Sequence, residues 1–482
     1  MIIAETEVAD WAGEADVIVV GYGIAGVCAA IEAREAGGAV LVLERSSGCA
    51  GSTMASSGML YLGGGTAVQT ACGFDDSVEA LAAYLTATTA EPDHAKIEAF
   101  AKGSTAHFDW VEARGVPFER SYYPEKNLVP PGPDCLMYSG DELVWPYREQ
   151  VPPAPRGHKV AFDGLDGGGA LVLGKLVEHA EKIGVDARFD MHVDGLVMDG
   201  DHVTGVRVRH FREQLFFRAR RGVALTGGGF GRNEEMMRRY CPEFDKATIV
   251  GGQYDDGTAI NLGIAAGGAT AHLEGMLITS SIYPPEQLLK GILVNREGRR
   301  FVAEDSYHST AAIAIAEQPE GIAYLILDSE TFAYPAWHEH AKQELVDGFA
   351  TIAEMEQRLE MPRGALRRTM ADYNRHAAAG EDPEFHKHPH WLKPLDADPW
   401  AAFDVSWGRA IYYGYTLGGL KISADGEVLK ADGEPVPGLY AAGASASTLA
   451  HDSRSSHSGI ALAADSFFGR QAGRHAMAGR SK

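Results

Sequence analysis

A glycine-rich turn near the start of the chain has the residue types and the spacing that bind a dinucleotide. Gly21, Gly23 and Gly26 form a Gly-x-Gly-x-x-Gly pattern, and Glu44 follows further along. Glycines let the backbone approach a pyrophosphate, and the unpaired N–H groups at a helix N-terminus attract its negative charge. A carboxylate at the end of the next strand can accept hydrogen bonds from ribose hydroxyls. The pattern therefore predicts a dinucleotide-binding site.

The elements around this turn are those that such a site requires. Asp16–Val20 is a β-branched run, typical of a strand that is buried on both faces of a parallel sheet. A helix-forming stretch, Cys28–Ala36, follows the turn, and a second strand, Ala39–Leu43, ends beside Glu44. An isolated Gly-x-Gly-x-x-Gly pattern indicates little, since glycines also serve plain turns and close packing. With both strands, the helix and the carboxylate present, it predicts an α/β fold built on a Rossmann sheet.

Composition and charge exclude several classes of function. The 482 residues include 43 Lys+Arg and 66 Asp+Glu, a formal net charge of −23, which disfavours nucleic acid or an anionic membrane as the main partner. The five scattered cysteines indicate no disulfide framework. The acidic start lacks the features of a signal peptide, and the longest uncharged apolar run, Val17–Ile31, is too short to span a bilayer. We expect a soluble, cytoplasmic chain without an integral membrane segment.

The texture of the sequence changes twice along the chain. Three later segments have the strand and helix patterns of a chain that returns to the first sheet, and they lie near residues 167–185, 222–231 and 437–447. The intervening region after residue 277 is richer in charged helices, proline and histidine. We therefore predict two domains, a nucleotide-binding domain in two parts, residues 1–277 and 406–482, and an inserted cap domain, residues 278–405.

Two further segments stand out by composition. Tyr122–Tyr147 is too rich in proline for a helix or a central strand, and long loops of this kind often form lids or pocket walls. His386, His388 and His390 alternate along the chain in a way that can suggest a metal site. Pro389 within the run, and the lack of a carboxylate or cysteine partner in the pattern, argue against one. We predict a lid or a pocket wall for the first segment and no metal at the second.

A series of motifs carries a resemblance to a known family. In chain order they are GYGIAGVCAAIEAREAGGAVLVLERSSGCAGSTMASSGMLYLGGG, DGTAINLGIAAGGATAHLE, LVNREGRRFVAED, TLGGLKISADGEVL, PGLYAAGASAS and SGIALAADSFFGRQAG. Together they resemble the flavoprotein family of FAD-dependent fumarate reductases and 3-ketosteroid dehydrogenases, from near residue 16 to near residue 473. Within that family, LYLGGGTAVQTACGFDDS, EDSYH and SFFGRQAG are most similar to the 3-ketosteroid Δ4-(5α)-dehydrogenases.

The resemblance implies a fold and a cofactor. The fold is a glutathione-reductase-like Rossmann domain that binds FAD, with an inserted catalytic cap domain like that of fumarate reductases. Carried over position by position, the cofactor-binding residues are Gly21, Gly23, Ala25, Gly26, Glu44, Arg45, Ser52, Thr53, Ser57, Gly58, Met59, Val193, Gly227, Gly228, Gly443, Ser458, Gly459, Ile460 and Leu462. No histidine lies in the loop after Glu44, so the resemblance implies that FAD is bound non-covalently.

Comparison with the fumarate-reducing members argues against a dicarboxylate substrate. Those members hold a dicarboxylate with cations, and an arginine delivers the proton. His308 stands at the position of that arginine, Tyr415 lies where a histidine pair precedes the Thr-x-Gly-Gly motif, and Ser456 matches a second, substrate-binding arginine. Arg454, two residues before Ser456, is the one cation that offers partial compensation. A carboxylate reductase therefore stays as an alternative.

The resemblance implies hydroxyl chemistry in place of these cations. In the steroid dehydrogenases, a tyrosine at the position of Tyr307 and a serine at that of Ser458 relay the proton that leaves the carbon next to a ketone. Neutral hydroxyls and N–H groups suffice to polarise the ketone oxygen. We therefore name Tyr307, Ser458, Tyr415 and Ser456 as the candidate catalytic residues.

Ser456 departs from the family pattern, because the family has its second tyrosine there. A phenol is a stronger and longer-reaching donor than a serine hydroxyl. Three explanations stay open: Ser456 acts through water, His457, Arg454 or another group polarises the ketone, or the substrate differs.

The predicted function is FAD-dependent dehydrogenation of a 3-ketosteroid at a C–C bond next to the ketone, the Δ4 position, with a ketosteroid-like small molecule as partner. The alternatives are a flavin-dependent reductase of an enone or unsaturated carboxylate, a flavin-binding protein without turnover, and an NAD-dependent dehydrogenase. The direction of the reaction depends on an electron acceptor that the sequence does not identify.

Overall fold

The computed structural model describes residues 1–49, 51–165 and 167–479. Within these ranges the strands are β1 Ile2–Ala4, β2 Gly13–Val20, β3 Val40–Leu43, β4 Met59–Tyr61, β5 Leu136–Met137, β6 Gly157–Lys159, β7 Asp186–Arg188, β8 Met191–Asp199, β9 His202–His210, β10 Glu213–Leu225, β11 Thr248–Ile249, β12 Thr270–Ala271, β13 Met276–Thr279, β14 Ile292–Asn295, β15 Ala323–Asp328, β16 Glu344–Phe349, β17 Trp400–Asp404, β18 Tyr413–Thr416, β19 Gly419–Lys421, β20 Glu427–Leu429, β21 Pro435–Ala441 and β22 Ala446–Ser447. The α-helices are α1 Ile24–Glu35, α2 Ala67–Ala71, α3 Val78–Thr88, α4 His94–Ala113, α5 Tyr147–Gln150, α6 Gly168–Lys182, α7 Glu234–Tyr240, α8 Thr258–Ala265, α9 His308–Ala316, α10 His338–Ala341, α11 Ile352–Arg358, α12 Ala365–Ala378 and α13 Ile460–Ala478.

The largest sheet is the Rossmann sheet that the sequence predicts. β7, β3, β2 and the second half of β10 are parallel neighbours in this order, and β21 lies parallel on the other side of β10. Val17–Val20 pairs in register with Val40–Leu43, and the side chains of both runs are buried. Burial on both faces of a sheet explains why these strands are continuous apolar runs and not alternating ones. The predicted α/β fold is confirmed.

The same sheet continues into an antiparallel meander. The first half of β10 pairs with β9, β9 pairs with β8, and β1 pairs in parallel with β8. On one face of the sheet α1 packs against α13 and α6. The last helix of the chain is thus held beside the first glycine turn, although the two are far apart in sequence.

Helix α1 begins earlier than the helix-forming pattern predicts. It starts at Ile24, with Gly23 as its N-cap, and not near Cys28. The N–H groups in the first turn of a helix have no partner within the helix. Because the glycine motif itself forms this turn, those N–H groups lie directly after β2, where a pyrophosphate is expected.

A separate antiparallel sheet lies within the predicted cap segment. Its strand order is β14, β15, β17, β16. Leu325 and Phe403 belong to an apolar cluster on one face together with residues of α9, and Ile326 and Ala402 belong to a second cluster with residues of α12. Alternation of side chains along each strand produces these two faces. An inserted cap is therefore present, and the limits 278 and 405 stay a prediction.

The segment Tyr122–Tyr147 follows a largely irregular course, as its proline content predicts. Its short strand β5 pairs with β6, and β6 pairs with β4. This small sheet holds the segment Tyr122–Tyr147 beside Met59–Tyr61. No helix in the described part of the chain has the length and apolar character needed to cross a membrane.

Candidate active site

The glycine turn and α1 form one wall of a cavity at the carboxyl ends of the parallel strands. Gly21 has a φ of +101°, and a Cβ there would lie 2.5 Å from the carbonyl oxygen of Thr226. A Cβ at Gly26 would collide with the carbonyl oxygen of Gly21. The close approach of the backbone therefore excludes side chains at both positions. Gly21 and Gly23 line the cavity, and Gly26 lies behind it.

Glu44 lines the same cavity and is held in place by its own neighbours. Its Oε2 accepts the N–H of Tyr22 at 2.8 Å, and its Oε1 accepts the N–H and the hydroxyl of Ser46 at 2.8 and 2.6 Å. A carboxylate oxygen has two acceptor sites. Among the described residues, Tyr22 is the one donor to Oε2. The second acceptor site of Oε2 can therefore bind a ribose hydroxyl.

The wall of this first cavity comes from several distant segments. Arg45 binds Asp256 at 2.6 Å, and its guanidinium lies 4.3 Å from the centre of the Tyr254 ring. The other predicted cofactor residues that line it are Ala25, Ser52, Thr53, Val193, Gly227, Gly228 and Gly443. Tertiary structure thus brings most of the predicted nucleotide-binding residues to one cavity.

A second cavity adjoins the first. The described residues that line both cavities are Ile24, Ser52, Thr53, Asp255, Ala444 and Asp465. Val250, Leu417, Ile460 and Leu462 supply apolar walls to the second cavity, together with Tyr415. The described residues of its lining include no lysine or arginine. The pair of cavities suits an extended ligand with an anionic half and an apolar half.

Other predicted cofactor residues lie behind these walls. Gly58 packs against the backbone of Gly168 at the start of α6, and a Cβ at Gly459 would lie 2.8 Å from the backbone nitrogen of Tyr61. The predicted cofactor residues outside both cavity linings, among the residues described, are Gly26, Ser57, Gly58, Met59, Ser458 and Gly459. Contact of these residues with a cofactor stays a prediction.

The hydroxyls of Tyr307 and Ser458 form a hydrogen bond of 3.0 Å across 151 residues of sequence. Tyr307 is the N-cap of α9, and Ser458 precedes Gly459, the N-cap of α13. Two helix N-termini therefore converge on this pair.

The hydrogen bonds fix the direction of this pair. The Ser458 hydroxyl donates to the carbonyl oxygen of Leu128 at 3.2 Å. A hydroxyl has one proton, so Ser458 accepts its other hydrogen bond from Tyr307. Burial raises the pKa of the Tyr307 phenol to about 12, against the opposing effect of the Ser458 hydroxyl. Tyr307 is therefore protonated at neutral pH.

The segment Tyr122–Tyr147 contacts the Tyr307–Ser458 pair, although none of its residues is among the described lining of the two cavities. Besides Leu128, its Ser139 accepts the N–H of Ser458 at 2.9 Å through its carbonyl oxygen. The carboxylate of Asp141 accepts the N–H of Tyr307 and, at 2.8 Å, the hydroxyl of Thr310. Sequence reasoning missed Asp141, whose signal is an acidic residue within a proline-rich loop.

Tyr415 and Ser456 differ in their position relative to the cavities. Burial, and then the nearby Tyr307 and Asp465, hold the pKa of Tyr415 well above its usual range, so its hydroxyl remains a donor. Ser456 is fully buried, and its hydroxyl donates to the carbonyl oxygen of Asp452 at 2.9 Å. Neither Ser456 nor the Tyr307–Ser458 pair is among the described residues that line the two cavities, and the catalytic role of Ser456 stays a prediction.

The cations expected of a dicarboxylate site are not assembled from the described residues. His308 is buried, and burial lowers its pKa to about 3, so the ring is neutral. Arg454 is 45% exposed and pairs with Glu317 at 2.5 Å. Lys126 is buried but donates to the carbonyl oxygen of Asp305, and it lines neither cavity. Arg454 therefore does not compensate for the missing arginines.

The alternating histidines have other contacts. The ring of His386 lies 4.3 Å from that of Trp145, and His388 accepts the backbone N–H of His390 at 3.2 Å. In the described ranges, no group of three or more histidine, cysteine or acidic side chains is arranged to hold a metal ion.

The donor set and the shape of the two cavities fit FAD. The glycine turn and the start of α1 offer N–H groups and space for the pyrophosphate, and Glu44 offers an acceptor for the ribose. The apolar second cavity, which begins where the first ends, suits the flavin ring.

Comparison with known proteins supports this assignment. A family model described as an FAD binding domain matches residues 16–460. The crystal structure of 3-ketosteroid Δ4-(5α)-dehydrogenase from Rhodococcus jostii RHA1, in complex with 4-androstene-3,17-dione, is 40% identical, with 98% of this chain and 99% of that chain covered and a TM-score of 0.93.

Two curated relatives are more distant. The 3-oxo-5-alpha-steroid 4-dehydrogenase of Comamonas testosteroni is 27% identical, with 92% of this chain and 94% of that protein covered. The NADH:fumarate oxidoreductase of Klebsiella pneumoniae (strain 342) is 28% identical, with 89% of this chain and 44% of that protein covered, so this chain spans less than half of its length. The chain belongs to the FAD binding domain family, as a member of the flavoproteins that include fumarate reductases and 3-ketosteroid dehydrogenases.

Proposed function

We propose that this protein is an FAD-dependent dehydrogenase that introduces the Δ4 double bond into a 3-ketosteroid. The observation that carries the proposal is the hydrogen bond between Tyr307 and Ser458, at two helix N-termini and close to a cavity without a lysine or arginine in its described lining. The 40% identity to a Δ4-(5α)-dehydrogenase that holds a steroid supports the choice of substrate.

The reaction removes a proton from the carbon next to the ketone and a hydride from the neighbouring carbon, and it leaves an enone. FAD, when bound, accepts the hydride. The chain must therefore take up the proton and stabilise the charge that develops on the ketone oxygen.

Tyr307 takes the proton in this proposal. Because the pKa of Tyr307 is about 12, the ionised form is rare at neutral pH. Tyr307 must therefore lose its own proton in the same step in which it accepts the substrate proton. Tyr307 accepts the substrate proton as it passes its own proton to Ser458. Ser458 in turn passes its own proton to a water molecule from solvent, and for this its hydroxyl must turn away from the carbonyl oxygen of Leu128, since a backbone carbonyl does not take up the proton.

Tyr415 is the proposed donor to the ketone oxygen. It lines the second cavity, and its raised pKa keeps the phenol protonated. An oxyanion donor is typically worth about 3–4 kcal/mol of transition-state stabilisation. Tyr415 thus replaces, in function, the family tyrosine that is Ser456 in this chain.

The function is tested by anaerobic reduction of the bound flavin. We expect a saturated 3-ketosteroid to bleach the flavin absorbance and succinate to leave it unchanged. Substrates with either ring fusion identify the preferred isomer.

Each other outcome identifies a rival function. Bleaching by succinate would favour a carboxylate oxidoreductase, and no bleaching by any ketone would favour a flavin-binding protein without turnover. A protein without flavin would contradict the FAD site. Release of all flavin by denaturation would support non-covalent binding.

The five cysteines are free thiols, which is consistent with a reducing, cytoplasmic compartment.

Replacement of Glu44 by glutamine is expected to weaken FAD binding about 10- to 100-fold. The amide loses the charge that holds the N–H groups of Tyr22 and Ser46, and hydrogen bonds to a charged group are the stronger ones. The measurement is flavin released from the holoenzyme on dilution. Glu178→Gln, on the exposed face of α6, is the control and keeps wild-type affinity. Equal affinity of Glu44→Gln and wild type would contradict a role for Glu44 in binding.

A further inference from the structure

Asp465 in the second turn of α13 lies at the boundary between the two cavities and lines both of them. Its Oδ2 is 3.9 Å from the position that a Cβ on Gly443 would occupy. None of the motif correspondences assigns a role to this residue. Asp465 differs from the other polar groups at this boundary because its carboxylate has no hydrogen-bond donor among the described residues.

The other polar groups at this boundary already have hydrogen-bond partners. Thr53 accepts the N–H of Ile24 at 3.1 Å through its hydroxyl. Asp255 accepts the hydroxyl of Ser52 and the N–H of Gly252, both at 2.8 Å. Each of these contacts serves the protein itself.

Asp465 has no such contact. Within the described ranges, no donor lies at hydrogen-bond distance from its carboxylate. Burial without a donor raises the pKa of Asp465 to about 7. A half-buried carboxyl group without a partner costs free energy unless a ligand supplies donors. The carboxylate oxygens remain open toward the cavities.

The order of groups in FAD identifies those donors. The pyrophosphate belongs at the glycine turn in the first cavity, and the ring belongs in the second cavity. The ribityl chain joins these two groups, so it must cross the boundary between the cavities. Its hydroxyls are hydrogen-bond donors.

We propose that Asp465 binds the ribityl chain of FAD by accepting hydrogen bonds from its hydroxyls. This proposal rests on FAD as the cofactor and does not depend on the identity of the substrate. It gives the chain a ribityl-binding carboxylate on α13.

The test compares how strongly partial ligands displace FAD from the holoenzymes of wild type, Asp465→Ala and Asp465→Asn. Riboflavin has the ring and the ribityl chain, lumiflavin has the ring with a methyl group in place of that chain, and ADP fills the first cavity only. We expect Asp465→Ala to weaken FAD and riboflavin about 10- to 100-fold, and lumiflavin and ADP less than twofold. Asp465→Asn should lie between wild type and Asp465→Ala, since an amide oxygen accepts more weakly than a carboxylate.

Glu44→Gln is the matched control, because it should weaken FAD and ADP together and leave lumiflavin unchanged. The unfolding temperature of the flavin-free proteins gives a second readout, and we expect it to be equal or higher in Asp465→Asn, since a half-buried carboxyl group without a partner is lost. Unchanged riboflavin affinity in both variants would overturn the proposal. So would an equal loss for riboflavin and lumiflavin. A wild-type protein that holds FAD but is not reduced by steroids would contradict the proposed substrate alone.

Discussion

Replacement of Tyr307 by phenylalanine is expected to slow bleaching of the bound flavin by a 3-ketosteroid about 100-fold or more, with FAD still bound. The phenyl ring keeps the packing of Tyr307 against His308 and His457 and removes only the hydroxyl that bonds to Ser458. Positioned acid–base groups contribute about 10²- to 10⁴-fold to rates. The measurement is the single-turnover rate of flavin reduction under anaerobic conditions.

Ser458→Ala interrupts the same relay, so the double variant should be no slower than Tyr307→Phe alone. Tyr334→Phe, at a half-exposed tyrosine of the cap, is the control and should keep the wild-type rate. In the wild type the rate should rise with pH, because the ionised fraction of Tyr307 grows as the pH approaches its pKa of about 12, and a phenolate accepts the substrate proton without the relay. A wild-type rate in Tyr307→Phe would contradict the proposed role.

Replacement of Asp76 by asparagine is expected to destabilise the protein by about 3–5 kcal/mol. Asp76 and Arg156 form an ion pair at 2.7 Å, and both side chains are 0% exposed. Removing one partner leaves the other charge buried and uncompensated, which is costly. Asp76 also accepts the N–H of Gly64 at 3.0 Å and the amide of Gln69 at 3.1 Å. The free energy of unfolding, from urea denaturation of the holoenzyme, measures the effect.

The pH dependence of this ion pair has a definite sign. Burial raises the pKa of Asp76, but the hydrogen bonds and charge of Arg156 outweigh it, so the folded pKa lies below the ordinary value of 3.8. The contribution to stability is therefore complete above the unfolded pKa and is lost as the pH falls through the folded one. Glu98→Gln, which removes the exposed ion pair with Lys102, should leave the unfolding free energy unchanged. The same result for Asp76→Asn would contradict this account.

The cofactor domain was predictable from the sequence because its signals are local. The glycine spacing, the apolar strands on either side and Glu44 lie within one short stretch, and each follows from backbone geometry that holds wherever the motif occurs. The cap was predictable from the change in composition after residue 277, where charged helices, proline and histidine become more frequent. The start of α1 was predicted too late, because the helix-forming stretch begins at Cys28, whereas the first turn of the helix is formed by residues of the glycine motif, among them Gly26.

Residue types and family motifs identified Tyr307 and Ser458, and only the tertiary structure decided that their hydroxyls meet, across 151 residues. The sequence could not separate Ser456 from Ser458 by chemistry, since both are serines in one loop. In the structure the Ser456 hydroxyl donates to Asp452 in the same loop, whereas the Ser458 hydroxyl bonds to Tyr307 of the cap segment. Asp141 and Asp465 belong to no local sequence pattern. Asp141 accepts hydrogen bonds from residues at the start of α9 that are distant in sequence, and Asp465 has no donor among the described residues. Residues that are neighbours in sequence determine the glycine turn, whereas the packing of α9, α13 and the loop before α5 brings the proposed catalytic hydroxyls together.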